Sequence, residues 1–284
     1  MTPPGRDTLI RSILAADRAR RRRARWRGGL VLAVVAACFW TTGMLDGARL
    51  ADGLPAIGTL LAEMLPPDFG RWRDWVVPMA ETLAMSVAGT ALALAASLPL
   101  ALLAARNTTP NRWLHAAARG VLNVLRAIPE LILGIVFVAA VGFGMLPGVL
   151  ALGLHSVGMV GKFFAEGIEH AHPAPIEAVE ATGASRLQVV GHAILPQVWP
   201  QFADIAMYRW EYNFRASTVM GMVGAGGIGT ELIGSLRILD YGQVSALLLV
   251  VLGAVTAVDA MGAALRHRLR SGRGGAVVHA GAAR

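Results

Sequence analysis

Six long apolar runs, separated by shorter polar segments, follow one another along this chain of 284 residues. A helix needs about 20 apolar residues to cross a bilayer, and each run comes close to that length or exceeds it. The third and fourth runs are separated only by Gly144 and Met145, which predicts a tight hairpin. The pattern predicts an all-α polytopic membrane protein with six transmembrane helices. The spans are predicted at residues 28–45, 79–105, 121–143, 146–168, 202–223 and 244–265.

Basic residues are concentrated at the two ends of the chain and predict its orientation. Residues 1–27 contain nine Arg and two Asp, and the tail from Arg266 contains five Arg and no acidic residue. The 46–77 loop has three Arg and five acidic residues, whereas the 106–119 loop has three Arg and no acidic residue. Cytoplasmic segments are enriched in Lys and Arg, so both termini and the 106–119 loop are predicted to be cytoplasmic. The 46–77 loop is predicted to be external.

The composition excludes several classes of protein. Charged residues make up 15% of the chain and hydrophobic residues 55%, whereas about 25% of a soluble domain is charged. A net charge of +8 is compatible with nucleic-acid binding, but charge at the ends of apolar spans is typical of membrane topology. No nucleic-acid partner is therefore expected. The single cysteine, Cys38, excludes an intrachain disulfide and a thiolate metal site.

The N-terminal region, residues 1–27, is predicted to be a basic cytoplasmic segment. One helical face of this region carries apolar residues opposite a run of Arg, which favours an interfacial helix on anionic membrane lipid. These apolar residues are Leu9, Ile10, Ile13 and Leu14. A disordered basic tail that only sets the topology is the alternative. A signal peptide is disfavoured because the apolar core is long and no small-residue cleavage pattern follows it.

A polar insert, residues 169–200, lies between two apolar runs on the side predicted to be cytoplasmic. Pro173 and Pro175 are predicted to end the preceding helix, because proline lacks an N–H donor and clashes in a helix interior. A short helix is predicted over residues 176–182, and Gly183 permits a sharp break before a second helix. Two short helices that meet at a glycine predict a projecting knob, a surface suited to a partner protein.

The insert resembles the cytoplasmic coupling loop of ABC-importer permeases. That loop has Glu-Ala-Ala, three residues, Gly, nine residues, Ile, one residue and Leu-Pro. Val179 replaces the second Ala, and Ala193 occupies the Ile position with Ile194 one step later. The resemblance implies a set of residues that contact an ATPase subunit. These are Glu177, Ala178, Glu180, Gly183, Ala184, Leu195 and Pro196.

Three further segments narrow the resemblance, namely Leu125–Leu131 (LRAIPEL), Arg215–Val219 (RASTV) and Gly224–Gly229 (GAGGIG). Together they look like the phosphonate/phosphite permease family within the methionine-permease-like type I importer fold. The resemblance covers roughly residues 78–268, the ABC-transporter transmembrane domain. Residues 28–77 then hold the first transmembrane helix and the external loop, and residues 269–284 form a basic cytoplasmic tail.

The resemblance also implies a function and an assembly. The chain would be the permease subunit of an ATP-driven importer in the bacterial cytoplasmic (inner) membrane, and would move a small oxyanion by alternating access. Two copies would form a homodimer with separate ABC ATPase subunits and a periplasmic or extracellular solute-binding protein. The ATPase partner would use ATP and Mg²⁺, and no cofactor is expected in this chain.

Two sequence features bear on nucleotide chemistry within the chain. Gly224–Gly229 matches the Gly-x-Gly-x-x-Gly pattern of dinucleotide-binding proteins, but it follows an apolar span and no acidic residue lies about 20 positions on. A glycine-rich bend at membrane depth is favoured instead. The single lysine, Lys162, is not part of a phosphate-binding Gly-x4-Gly-Lys-Ser/Thr motif. The chain is therefore not expected to be an enzyme.

Ionisable residues inside the spans are costly and are candidates for function. Arg126 and Glu130 are spaced i, i+4 and are predicted to pair along one helix face. Arginine also suits the geometry of phosphate-like anions, which favours a polar path for an oxyanion. The alternative is that Arg–Glu pairs only brace the helices. The candidate path residues are Arg126, Glu130, Glu211, Arg215 and Ser217.

His155 and Lys162 are seven residues apart in the fourth run, near one helix face, and buried polar packing is favoured over a pathway for them. Three other functions are also compatible with the sequence. They are a type I permease for another solute such as an amino acid, an ion-coupled secondary transporter, and a membrane enzyme. The last is disfavoured because no catalytic cluster is visible.

Overall fold

The computed structural model of this protein describes the backbone of residues 5–281 and the side chains of residues 14–15, 17 and 20–268. Within this range the secondary structure is helical. Its helices are α1 (Arg6–Thr41), α2 (Gly47–Glu63), α3 (Val76–Ala104), α4 (Arg112–Ala127), α5 (Glu130–Val141), α6 (Met145–Glu169), α7 (Pro173–Glu180), α8 (Arg186–Val189), α9 (Leu195–Met220), α10 (Ile228–Arg237) and α11 (Tyr241–Gly281). A π-helical turn (Val190–Ile194) precedes α9, and a 3₁₀ turn (Gly221–Val223) follows it.

The chain divides into two compact units, Met1–Glu63 and Met64–Arg284. In the first unit, α1 joins the basic segment and the first apolar run in one unbroken helix. The predicted apolar face of the N-terminal segment lies mostly on Leu9, Ile10 and Ile13, whose side chains are outside the described residues. The second helix, α2, occupies a segment predicted only as an external loop, and none of its residues is buried.

The predicted count of six spans is not confirmed. Among the described residues, three helices are long and apolar enough to cross a membrane, at Val76–Ala104, Met145–Glu169 and Tyr241–Arg268. Two bent helix pairs raise the number to five if each pair is one span. The first predicted span, residues 28–45, is not among these helices. Helix α1 ends at Thr41 and leaves 14 residues after Arg27, fewer than the about 20 apolar residues that a span needs.

The third apolar run does not form the single helix predicted over residues 121–143. It is divided between α4 and α5, which are bent by 88°. The bend arises at Pro129, because a proline disfavours helical backbone at the preceding residue, and Ile128 has φ −88° and ψ 120°. The predicted tight turn before α6 is confirmed. Gly142 and Gly144 adopt φ values of +90° and +122°, which only glycine reaches without strain.

The core of the second unit forms where α3, α4, α6 and α9 pack together. Phe164 of α6 stacks on Phe202 of α9, with ring centroids 3.8 Å apart and an interplanar angle of 10°. Small residues bring α3 and α6 into close contact. A Cβ atom at Gly89 would lie 3.0 Å from the Cβ of Leu152. These helices therefore form the frame that holds the polar residues of the span interiors.

The glycine-rich segment between α9 and α10 forms the predicted bend. Helix α10 departs at 46° from the preceding helical segment. Two hydrogen bonds from the bend attach it to α3. The backbone N–H of Gly227 donates to Glu81 Oε2 at 3.0 Å, and that of Ile228 donates to Thr82 Oγ1 at 2.8 Å. Three residues of the bend have positive φ, namely Gly224, Gly226 and Gly227.

Candidate functional site

The polar insert folds into two short helices joined at Gly183, as predicted. Its first helix, α7, begins at Pro173, three residues before the predicted start at residue 176. Pro173 and Pro175 do not end the preceding helix, which finishes earlier at Glu169. They lie instead in the first turn of α7, where an N–H donor has no intrahelical partner and proline is tolerated.

The turn between α7 and α8 is held by local hydrogen bonds. The Gly183 N–H donates to the Glu180 carbonyl oxygen at 2.9 Å, and Gly183 adopts a φ of +79°. The next helix starts with a capping box, in which the Ser185 N–H donates to Gln188 Oε1 at 2.8 Å. Apart from Gly183 and its two chain neighbours, no described residue has an atom within 4 Å of the position that a Cβ of Gly183 would occupy. The turn therefore projects freely from the second unit.

One side of the insert is anchored to the helical core. Ile176, Val190 and Leu195 pack against the hydrophobic cluster of α3, α4, α6 and α9. Gln197 of α9 adds a polar link, because its Oε1 accepts a hydrogen bond from the His172 N–H at 2.9 Å. The insert is therefore attached to α9 through both apolar packing and a hydrogen bond.

The other side of the insert is exposed and contains most of the predicted ATPase-contact residues. Glu177, Ala178, Glu180, Gly183 and Pro196 are exposed, and Ala184 and Leu195 are partly buried. Leu187, which lies beside the turn and is 82% exposed, was not predicted as a contact residue. An apolar residue within a polar capping box is the signal that would have drawn attention to it. We call the exposed surface of the insert the knob surface; its residues are Glu177, Ala178, Glu180, Gly183, Leu187 and Pro196.

A buried polar network connects α3, α6 and α9 inside the second unit. Asn213 Nδ2 donates to Thr90 Oγ1 at 2.9 Å, and Asn213 Oδ1 accepts from Ser156 Oγ at 3.0 Å. Arg209 Nε donates to Ser156 Oγ at 2.7 Å. All four side chains are buried. Thr90, Ser156 and Asn213 were not predicted from the sequence, because a lone polar residue in an apolar run does not reveal its partner.

The same network extends to the α4–α5 bend. The guanidinium carbon of Arg209 lies 4.2 Å from the ring centroid of Tyr212, whose hydroxyl donates to Glu130 Oε1 at 2.9 Å. Glu130 Oε2 lies 3.5 Å from His155 Nε2. The predicted pairing of Glu130 with Arg126 along one helix face is wrong, because the two residues belong to different helices on either side of the bend.

The remaining candidate path residues have partners on other helices. Glu211 Oε1 lies 2.5 Å from Arg266 Nη1, and Arg215 Nη1 lies 3.4 Å from Asp259 Oδ2. Ser217 Oγ donates to the carbonyl oxygens of Phe214 and Thr82. The five candidates therefore do not converge on one site. A role in translocation stays a prediction for each of them.

His155 and Lys162 have different partners despite their spacing of seven residues on α6. His155 contacts the Glu130 carboxylate, and its Nδ1 is 3.0 Å from the Ile128 carbonyl oxygen. Lys162 Nζ lies 3.6 Å from Glu166 Oε1 and faces a cavity between α4 and α6. The favoured assignment of buried polar packing therefore fits His155, whereas Lys162 is partly exposed.

Replacing Arg266 by Gln is expected to lower the melting temperature of the purified protein. The Glu211 side chain is 8% exposed and would lose its ion partner in α11. Removing one member of a buried pair costs about 3–5 kcal/mol, and the lower end applies because Arg266 is 27% exposed. Thermal unfolding in detergent measures the change. The double variant Glu211→Gln/Arg266→Gln should recover most of the loss, and equal losses in both variants would contradict this role.

Sequence comparisons relate this chain to transport proteins. The family model of the binding-protein-dependent transport system inner membrane component matches residues 97–271. The phosphite transport system permease protein PtxC of Stutzerimonas stutzeri is 62% identical over 241 residues, covering 85% of this chain and 88% of that protein. The phosphate-import permease protein PhnE of Mycolicibacterium smegmatis is 44% identical over 220 residues, covering 78% of this chain and 41% of that protein.

A comparison with solved structures supports the fold. An inward-facing form of the MetNI methionine ABC transporter aligns with a TM-score of 0.61 and 23% sequence identity. The alignment covers 69% of this chain and 95% of that chain. At this identity the likeness concerns the fold alone, and it confirms the predicted all-α membrane architecture.

Proposed function

This chain belongs to the family of binding-protein-dependent transport system inner membrane components. We propose that it imports a small phosphorus oxyanion. As a family member it is the membrane-spanning permease subunit of an ABC importer. The observation that carries the substrate class is the 62% identity to a phosphite transport permease over 88% of that protein's length. Phosphite, phosphonates and phosphate are the candidate solutes, because a relative named for phosphate import is 44% identical.

The proposed assembly contains two copies of this chain, two ABC ATPase subunits that use ATP and Mg²⁺, and an external solute-binding protein. It lies in the bacterial inner membrane with both termini in the cytoplasm, an orientation favoured by the basic ends of the chain. The knob surface would contact the ATPase. Its exposed residues and the absence of a phosphate-binding lysine motif in the sequence support this assignment.

The proposed mechanism is alternating access driven through the insert. Ile176 and Gln197 attach the insert to the core, so a displacement of the knob surface would move α9 with it. Helix α9 also carries Asn213 and Arg209, which are bonded to α3 and α6. Movement of the ATPase subunits would therefore rock a connected set of helices. The solute-binding protein would make most of the substrate selection.

ATP-dependent uptake is the test of this proposal. The chain is reconstituted in proteoliposomes with its ATPase and solute-binding protein, and uptake of phosphite, methylphosphonate, phosphate and methionine is compared. We expect ATP-dependent uptake of at least one phosphorus oxyanion and none of methionine. Uptake of methionine alone would favour an amino-acid permease. Uptake driven by an ion gradient without ATP would favour a secondary transporter, and either result would reject the proposal.

A further inference from the structure

A cavity between α4 and α6 is lined by three cationic side chains. Its volume is about 170 Å³. The polar lining consists of Arg119, Asn123 and Arg126 from α4 and Lys162 from α6, and Leu122 contributes apolar surface. No acidic side chain lines this cavity within the described part of the chain. A small cavity with only cations and an amide at its polar wall is suited to an anion.

The sequence of α4 places its cavity residues on one helical face. Arg119, Asn123 and Arg126 follow at i, i+4 and i+7, positions that lie one above the other along a helix. Two glycines of α6 bring this face close to Lys162. A Cβ at Gly158 would lie 2.6 Å from the Arg126 backbone nitrogen, and one at Gly161 would lie 2.5 Å from Leu122 Cδ2. Close helix packing therefore brings the Lys162 ammonium beside the α4 arginines.

The cations of the cavity are not all neutralised by protein groups. Arg119 pairs with Glu169 at 2.9 Å, and Lys162 pairs with Glu166 at 3.6 Å. Arg126 is exposed, and its guanidinium has no hydrogen bond or ion pair within the described part of the chain. Its guanidinium therefore keeps all of its donors for a ligand. Arginine presents these donors in a planar fork that matches two oxygens of a phosphate-like group.

We infer that this cavity binds a tetrahedral phosphate-type oxyanion, with Arg126 as the main ligand and Lys162 and Asn123 as additional contacts. The cavity is smaller than the roughly 300–1,000 Å³ of pockets for drug-sized molecules, which favours a small anion. The anion is either the transported solute or the headgroup of an anionic lipid, since both present the same oxygens.

The location of the cavity suits a late point on the translocation path, and this part of the inference rests on the proposed function. Lys162 lies seven residues before the end of α6 at Glu169, a distance of about 10 Å along the helix. Glu169 also accepts a hydrogen bond from the Arg106 N–H, in the loop predicted to be cytoplasmic. The cavity therefore lies in the half of the protein toward the proposed ATPase side, where an imported anion would leave.

The test compares anion binding by full-length protein and three single variants in a phospholipid-free detergent. Arg126→Gln and Lys162→Gln each remove one cavity cation, and Arg237→Gln removes an exposed cation of α10 outside the cavity. Inorganic phosphite is titrated and followed by broadening of its ³¹P NMR signal. We expect about tenfold weaker binding in each cavity variant, equivalent to the loss of one charge-assisted contact, and no change in Arg237→Gln. Arg126→Lys keeps the positive charge but lacks the planar guanidinium donors, so it should lose less phosphite affinity than Arg126→Gln. It replaces Arg126→Gln in the titration if that variant fails to fold.

A second arm identifies the source of the anion. The same proteins are supplied with phosphatidylglycerol, and native mass spectrometry counts the retained lipids. A cavity-specific loss of phosphite binding with unchanged lipid retention assigns the site to the solute, and a cavity-specific loss of lipid alone assigns it to a headgroup. A cavity-specific loss of both shows an oxyanion site that accepts either source. Equal binding by the wild type and the cavity variants in both arms would overturn the inference.

Uptake by the reconstituted transporter distinguishes a failure of the anion site from a failure of the proposed function. If the wild type transports no phosphorus oxyanion but the cavity variants still lose anion binding, the proposed function fails and the anion site stands. If uptake is present and the cavity variants match the wild type in both binding arms, the anion site fails and the proposed function stands.

Discussion

Replacing Gly183 by Arg is expected to abolish co-purification of the ATPase and ATP-dependent uptake while the permease itself stays folded. No described residue other than its chain neighbours has an atom within 4 Å of the Cβ position at Gly183, so the arginine side chain would project into any docked partner. The φ of +79° adds backbone strain of about 1–2 kcal/mol for a residue with a side chain. That strain is small compared with a typical stability of about 5–15 kcal/mol.

Two matched variants distinguish a loss of ATPase docking from the effect of backbone strain at Gly183. Gly183→Ala has the same backbone strain without the bulk, and it should retain most of the ATPase. Gly234→Arg places the same side chain at an exposed, open position of α10, away from the knob surface, and should behave as the wild type. The measurement is the amount of ATPase recovered with the tagged permease. Equal recovery with Gly183→Arg and with the wild type would show that the knob surface is not the ATPase contact.

Replacing Gly229 by Val is expected to prevent accumulation of folded protein. A Cβ at Gly229 would lie 2.3 Å from the Thr218 carbonyl oxygen and 3.1 Å from the Gly221 backbone nitrogen. Both neighbours are backbone atoms of the helical segment before the bend, so no side chain can move to make room. Overpacking a core costs about 1–3 kcal/mol, and a clash with backbone should exceed that range because α9 and α10 would have to separate.

The yield of monodisperse protein and its melting temperature measure this effect. Gly253→Val in α11 is the matched control, because Gly253 is exposed and, beyond the nearby backbone of its own helix, no described residue has an atom within 4 Å of its Cβ position. It should express and unfold as the wild type does. If Gly229→Val gives the same yield and melting temperature as this control, the close approach at the bend is not required for folding.

Several elements were predictable because their signals are local in the sequence. Helix α6 covers residues 145–169, against a prediction of 146–168, since a long apolar run between glycine and polar residues defines a helix without reference to partners. The knob was predictable for the same reason, as Gly183 allows a turn that other residues reach only with strain. The family resemblance rested on short motifs of the same local kind.

Other features were not predictable because they depend on where helices end and pack. The run at residues 121–143 has the length of a span, but Pro129 divides it and separates Arg126 from Glu130. Arg126 was a candidate for an oxyanion path because it is an ionisable residue in an apolar run, but the sequence did not indicate its neighbours in space. Lys162 and Arg126 line the same cavity because Gly158 allows α4 and α6 to approach closely.

The membrane class, the helical architecture, the projecting insert and the transporter family could all be predicted without a structure. These properties follow from apolar run length, charge distribution and short motifs, all of which are read within a few tens of residues. The pairing of the polar residues, in contrast, depends on the three-dimensional packing of the helices. Asn213 and Thr90 are 123 positions apart, and Glu211 and Arg266 are 55 apart. Contacts at such separations are selected by how whole helices bend and pack, and no local pattern encodes that choice.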